Sequence, residues 1–228
     1  EPTELTPITA TEGTVMKRLE IQGRAAHAAS RWRGEDVLPH FERIRAAFKD
    51  LEAERSESVT HPLYEEYPVP WPIVIGKVEA GNWASSVPSS LTAEMRFGVA
   101  PGETVDEVEE QYEEALQAVV DANDWLSEHP PSFERFSIQF ESAEVDADEP
   151  IVRTLREAMM DTGLPDTDPR GATYGADSRH YVAAGIPTVL FGPGSIEQAH
   201  FPDETIEWAD VEQARETLAE TAVRFLQS

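Results

Sequence analysis

Residues 36–53, DVLPHFERIRAAFKDLEA, place Val37, Phe41, Ile44, Phe48 and Leu51 at three- and four-residue steps. That spacing returns to one side of a helix with every turn, so it predicts a helix whose buried stripe lies opposite Glu42, Arg45, Lys49 and Glu52. Before it, Val15, Leu19 and Ile21 suit a half-buried strand ending at Gly23, with imperfect alternation. After it, Pro62, Pro68, Pro70 and Pro72 break the chain. Residues 73–78 and 91–99 then read as two strands joined through Gly81 to Pro88. Thr104 opens a second helix reaching Ala122: Glu107 completes a capping box, and Val108, Tyr112, Leu116 and Val119 face inward. Residues 133–140 alternate as a closing strand. Strand, helix, strand, strand, helix, strand over about residues 13–143 matches a split βαβ sandwich of ferredoxin-like type, an α+β unit able to fold alone.

The rest of the chain reads differently. Pro150 stands at the start of a helix to about residue 162, residues 186–191 form a short continuous apolar strand, and residues 210–226 form a closing amphipathic helix. One clear strand makes an incomplete α/β core, since a buried parallel strand needs neighbours on both edges and helices on both faces. The expected division is 1–11, 12–143 and 144–228, with no internal repeat.

Of the 228 residues, 44 are acidic and 18 basic, a formal charge of −26 that repels phosphate backbones and argues against nucleic-acid binding. The only lysines are Lys17, Lys49 and Lys77; dense carboxylates with few lysines look like adaptation to high salt, where charges are screened within about 3 Å at 1 M. Runs such as residues 107–114 are accordingly read as solvated helix faces. No apolar run approaches the roughly 20 residues of a membrane span, and residues 1–10 have neither the basic start nor the apolar core of a signal peptide. A cytoplasmic protein of a salt-adapted organism is the corresponding expectation. With no cysteine, His and carboxylates are the zinc ligands on offer.

There is no Walker loop, Gly-x-Ser-x-Gly elbow, His-Glu-x-x-His or Gly-x-Gly-x-x-Gly. Three segments remain. Residues 23–30, GRAAHAAS, flank His27 with small residues just after a strand, which leaves the imidazole accessible; a histidine with only local bonds fits equally. Residues 171–179, GATYGADSR, make a glycine-rich turn that either holds a carboxylate bidentately through Arg179 or forms a local Asp-Arg pair. Residues 191–195, FGPGS, run on to AHFPDE at 199–204, where His200 sits in a loop after a strand, the position at which α/β folds place ligands.

Taken in order, these segments resemble the dinuclear zinc amidohydrolases that include acetylornithine deacetylase, succinyl-diaminopimelate desuccinylase, aminoacylase and carnosinase. Further segments carry the likeness: Glu1-Pro2-Thr3, Ser85-Ser86-Val87-Pro88, Glu94-Met95-Arg96 with Pro101-Gly102-Glu103, and Ala184-Gly185-Ile186-Pro187. The resemblance implies a dimerisation lid inserted into an α/β zinc-peptidase domain. It implies that His200 is a zinc ligand and that His27 reaches the other subunit's site to stabilise an oxyanion. Arg96 and Arg179 would grip a substrate carboxylate, with Thr173 and Gly194 lining the pocket. Ser85 stands where the family commonly has Asn, which puts that contact in doubt. The implied cofactor is a pair of zinc ions, with cobalt or manganese alternatives. The implied partners are a small N-acyl amino acid or dipeptide-like substrate and a second copy of the chain, with no membrane. The family's remaining ligands precede the lid, so the expectation is that this chain alone retains no metal and is inactive. A non-catalytic dimerisation or binding module is the alternative.

Overall fold

The computed structural model describes residues 1–199 and 201–227. In chain order it contains β1 (Ile8–Thr11), β2 (Gly13–Gln22), α1 (Leu38–Ser58), β3 (Ile73–Ala80), β4 (Ser90–Val99), α2 (Val105–Asp121) and α3 (Asp124–Glu128). There follow β5 (Ser132–Arg135), β6 (Ala143–Glu144), α4 (Pro150–Asp161), β7 (Arg170–Ala172), α5 (Ser178–Ala183) and α6 (Trp208–Phe225). The fold is mixed α/β, and the chain separates into two compact units: residues 13–60 with 67–141, and residues 1–12 with 61–66 and 142–228. No described helix is long and apolar enough to cross a membrane.

In the first of these units the strands run β3-β4-β2-β5, each antiparallel to its neighbour. β2 and β4 pair without interruption from Gly13↔Val99 to Gln22↔Ser90, which puts Val15, Leu19 and Ile21 on the same face as Leu91, Ala93, Met95 and Phe97. That face is buried together with Ile44 and Phe48 of α1 and Val108, Tyr112 and Leu116 of α2. Phe48 meets Phe97 and Tyr112 edge-on at ring centroid distances of 5.8 and 5.5 Å. The capping box forms as read: Glu107 N–H donates to Thr104 Oγ1, and Glu107 Oε2 accepts from Thr104 N–H. α1 runs past the predicted end, to Ser58, because Arg55 in its last turn is buried and gripped by both carboxylate oxygens of Glu103, at 2.9 and 2.7 Å.

The expected strand over 133–140 is shorter than read. β5 ends at Arg135, and at residue 139 a side chain takes over from the backbone: Met16 N–H donates to Gln139 Oε1 at 2.8 Å. Phe136 N–H still donates to the Met16 carbonyl at 3.3 Å, and Phe140 exchanges bonds with Thr14 at 2.6 and 2.9 Å.

The second unit holds a three-stranded sheet, β6-β1-β7, with β1 antiparallel to β6 and parallel to β7. β1 thus has neighbours on both edges, and all four of its residues are buried. The expected strand over 186–191 does not form. Ile186 is exposed, and only Leu190 bridges the sheet, through a reciprocal pair of bonds with Ile8 at 2.9 and 3.0 Å. α4 and α6 pack through Leu155, Met159 and Ala214, with Phe191 and Leu5 beside them. His61–Glu66, read as part of a break within 12–143, belongs to this unit. There Tyr64 is buried and its hydroxyl donates to the Ala172 carbonyl at 2.9 Å.

Candidate functional site

His27 and Ser85 are brought together by backbone pairing. Arg24 and Glu35 exchange bonds at 3.1 and 2.8 Å and close residues 24–35 into a loop. Gly23 permits this closure, because a Cβ there would lie 2.4 Å from the Glu35 carbonyl oxygen. The loop is then stitched to residues 85–87: Ala28 N–H donates to the Ser85 carbonyl at 3.0 Å, and Val87 N–H donates to the Ala26 carbonyl at 2.9 Å. His27 bridges Ser86 and caps a short 3-10 helix, Ala28–Arg33. Its side chain is exposed, and Nδ1 accepts from the Ala29 N–H at 3.1 Å. At the start of α1, His40 Nε2 lies 2.7 Å from Glu35 Oε1 and ties the loop's far end to the helix.

Two features here had no motif. Trp32 and Trp83, one on each of the paired loops, are 76% and 71% exposed. Isolated tryptophans carry no spacing signal, so only the backbone pairing places both on the same loops as His27.

Arg96 lies on β4 opposite Met16 and Val74, on the face of the sheet away from the helices. It lines a shallow groove of ≈ 350 Å³ with Met16, Val74, Lys77 and Phe136. Arg18 forms part of the surround, pairing with Glu94 at 2.9 Å and lying 4.9 Å from the Phe136 ring centroid. His27, Ser85 and Arg96 all belong to one unit.

Thr173, Arg179 and Gly194 belong to the other. Thr173 follows β7, and Gly171 is held under Tyr64, whose ring carbon would lie 2.4 Å from any Cβ at that position. Arg179 has a side chain only 12% exposed; its Nη1 donates to the Ala176 carbonyl at 3.0 Å and lies 3.5 Å from Asp177 Oδ1. The local Asp-Arg pair, one of the two readings of this turn, is therefore present. The Gly194 carbonyl accepts from Glu4 N–H at 2.8 Å, and Gly194 lines a cleft of ≈ 260 Å³ with Ser195, Gln198, Ile206 and Asp210. Thr3 pins the neighbouring loop: its hydroxyl donates to the Gly192 carbonyl at 3.1 Å and accepts from Gly192 N–H at 3.0 Å.

His200, the histidine read as a zinc ligand, lies outside the described residues. Among the described residues no three His, Asp or Glu side chains converge in a way that could hold a metal ion. A zinc centre needs three or four protein ligands. The described donors therefore do not fit one.

The model of Peptidase family M20/M25/M40 matches residues 12–224. The acetylornithine deacetylase of Pectobacterium carotovorum subsp. carotovorum (strain PC1) is 25% identical over 232 residues, covering 99% of this chain and 55% of that protein. An N-formyl-4-amino-5-aminomethyl-2-methylpyrimidine deformylase of Halalkalibacterium halodurans is 28% identical over 149 residues, covering 62% of this chain and 35% of that protein. A tripeptidase from Staphylococcus aureus superposes with a TM-score of 0.74 at 16% identity, covering 100% of this chain and 56% of the other, a likeness of fold. The chain spans about half the length of the acetylornithine deacetylases it matches. With the family model matching nearly its whole length, the chain belongs to Peptidase family M20/M25/M40.

Proposed function

We propose that the protein containing this chain hydrolyses an N-acyl or peptide amide bond in a small substrate that bears a carboxylate. The observation that carries this reading is His27: an exposed imidazole whose backbone is clamped on the stitched loops beside Ser85, within a chain of family M20/M25/M40. A side chain fixed by its surroundings but open to solvent is suited to meet a substrate from outside its own unit. Its part in the reaction is to donate a hydrogen bond to the carbonyl oxygen as negative charge gathers there. Arg96, in a groove with apolar walls, is suited to pair with the substrate carboxylate. Ser85 offers a hydroxyl, shorter in reach than the amide the family commonly has there. Thr173, Arg179 and Gly194, which belong to the other unit, are proposed as further substrate-binding residues on the strength of the resemblance.

The zinc pair that the resemblance implies would polarise the scissile carbonyl and supply hydroxide. The described donors do not make such a centre. For the same reason this chain alone is proposed neither to retain zinc nor to turn over substrate. The unit of residues 13–60 and 67–141 is proposed as a ferredoxin-like lid inserted in the catalytic domain. It would pair with a second copy: β3 is an eight-residue edge strand with Val74 and Val78 exposed, a ready template for another strand.

An assay with N-acetyl amino acids, N-formyl amines and dipeptides, on the full-length protein supplied with zinc and on this chain, tests the proposal. Hydrolysis by the full-length protein alone is expected. Turnover by this chain, with stoichiometric zinc, would mean that the ligands lie elsewhere than read. No hydrolysis in any arm would leave the chain a dimerisation or binding module.

A further inference from the structure

We infer that the backbone N–H of Ala29 sets the tautomer of the neutral His27 ring, placing its proton on Nε2 so that an N–H donor is presented outward. A ring nitrogen that accepts a hydrogen bond keeps its lone pair. With Nδ1 accepting from Ala29 at 3.1 Å, the single proton of the neutral ring resides on Nε2. The use of that donor rests on the proposed reading of His27 in amide hydrolysis. The lock itself rests on local geometry.

Three constraints hold the ring where Ala29 can reach it. His27 has extended backbone, φ −67° and ψ 140°, the conformation of a helix cap. Its carbonyl accepts from Ser30 N–H at 2.8 Å, which fixes the first turn of the 3-10 helix. On either side, Ala28 N–H is tied to Ser85 and the Ala26 carbonyl to Val87 N–H. The residues usual at a cap are Ser, Thr, Asp and Asn, whose side chains satisfy a backbone N–H and offer little beyond. Imidazole performs the same capping with one nitrogen and keeps a second, on the far side of the ring, for an external acceptor. A donor whose tautomer is set in advance needs no reorganisation when charge develops on a carbonyl oxygen. The small residues at 28 and 29 are explained as well: they begin a turn that must fold back on the ring.

The two nitrogens can be separated by substitution. His27→Asn puts an amide oxygen where Nδ1 was and removes the Nε2 donor. His27→Gln puts an NH₂ near the Nε2 position and leaves nothing at Nδ1. In the isotope-labelled chain with the imidazole neutral, a through-hydrogen-bond coupling between the Ala29 amide nitrogen and His27 Nδ1 is expected. Amide exchange at Ala29 should be nearly unchanged in His27→Asn and faster by roughly 2- to 10-fold in His27→Gln, the loss of one net hydrogen bond. In the full-length enzyme kcat should fall less for His27→Gln than for His27→Asn. Absence of the coupling, or equal Ala29 exchange in wild type and both variants, would overturn the lock whatever the activity. If the coupling and the exchange pattern appear while both variants keep wild-type kcat, the lock stands and the catalytic reading of His27 fails.

Discussion

Lys17 occupies the core face of β2 between Val15 and Leu19, where an uncompensated ammonium would be costly. Its Nζ lies 2.5 Å from both Glu109 and Glu113 of α2 and 4.4 Å from the Phe133 ring centroid. Glu109 also accepts from Arg135. Partial burial works to raise the Glu109 carboxyl, but the hydrogen bonds from Arg135 and Lys17 outweigh it and leave the group below the usual carboxylate range. Glu107 is lowered too, chiefly by the backbone N–H of Thr104 in the capping box. A carboxyl lowered by folding contributes stability that is complete above its unfolded pKa and is lost as pH falls through the folded value. Urea midpoints should therefore hold down to the ordinary carboxylate range and decline below it. Lys17→Met should remove part of that decline. It should also cost roughly 1–3 kcal/mol at neutral pH, less than the 3–5 typical of a fully buried pair, because Glu113 is half exposed and Glu109 keeps Arg135. A variant with wild-type acid sensitivity would show that the pair contributes nothing to it.

β7 and residues 61–66 depend on each other through one glycine. With Tyr64 Cε2 only 2.4 Å from where a Cβ would stand, Gly171→Ala forces a buried ring or the strand to move. A loss of roughly 1–3 kcal/mol is expected, as for other overpacked sites. Tyr64→Phe keeps the ring and removes the hydroxyl's bond to Ala172, for about 1 kcal/mol. Thermal melts of the two variants check the order; equal losses would mean that the ring yields freely. This packing joins residues more than a hundred positions apart, and no local pattern announces it. What was legible in the sequence was local: the stripe of α1 and the Thr104-x-x-Glu107 cap each lie within a few turns of helix. β1 was not read as the middle of a sheet, since Ile8-Thr9-Ala10-Thr11 is half polar in composition yet buried throughout. Residues 186–191 are apolar enough for a strand, but only Leu190 finds a partner. β5 stops early because a Gln139 amide stands in for a peptide group, a substitution that alternation cannot display. In the site, the motif around His27 could be read from its letters, whereas the Ala29 donor is main chain and has no letter.

Across the whole molecule, 44 acidic side chains against 18 basic ones leave a formal charge of −26. Repulsion of this kind opposes the compact state and is relieved by screening, so stability should rise steadily between about 0.1 and 2 M KCl, as the Debye length shrinks from about 10 Å to below 3 Å. Melting temperatures that fall over that range would count against salt adaptation. His27 is where the sequence motif, the stitched loops and the Ala29 bond coincide. The most direct measurement is kcat together with metal content for His27→Ala in the full-length protein. The proposed role of His27 as an oxyanion donor predicts a fall of roughly 10²- to 10³-fold in kcat with bound metal unchanged. Wild-type kcat, or a fall accompanied by loss of metal, would contradict it.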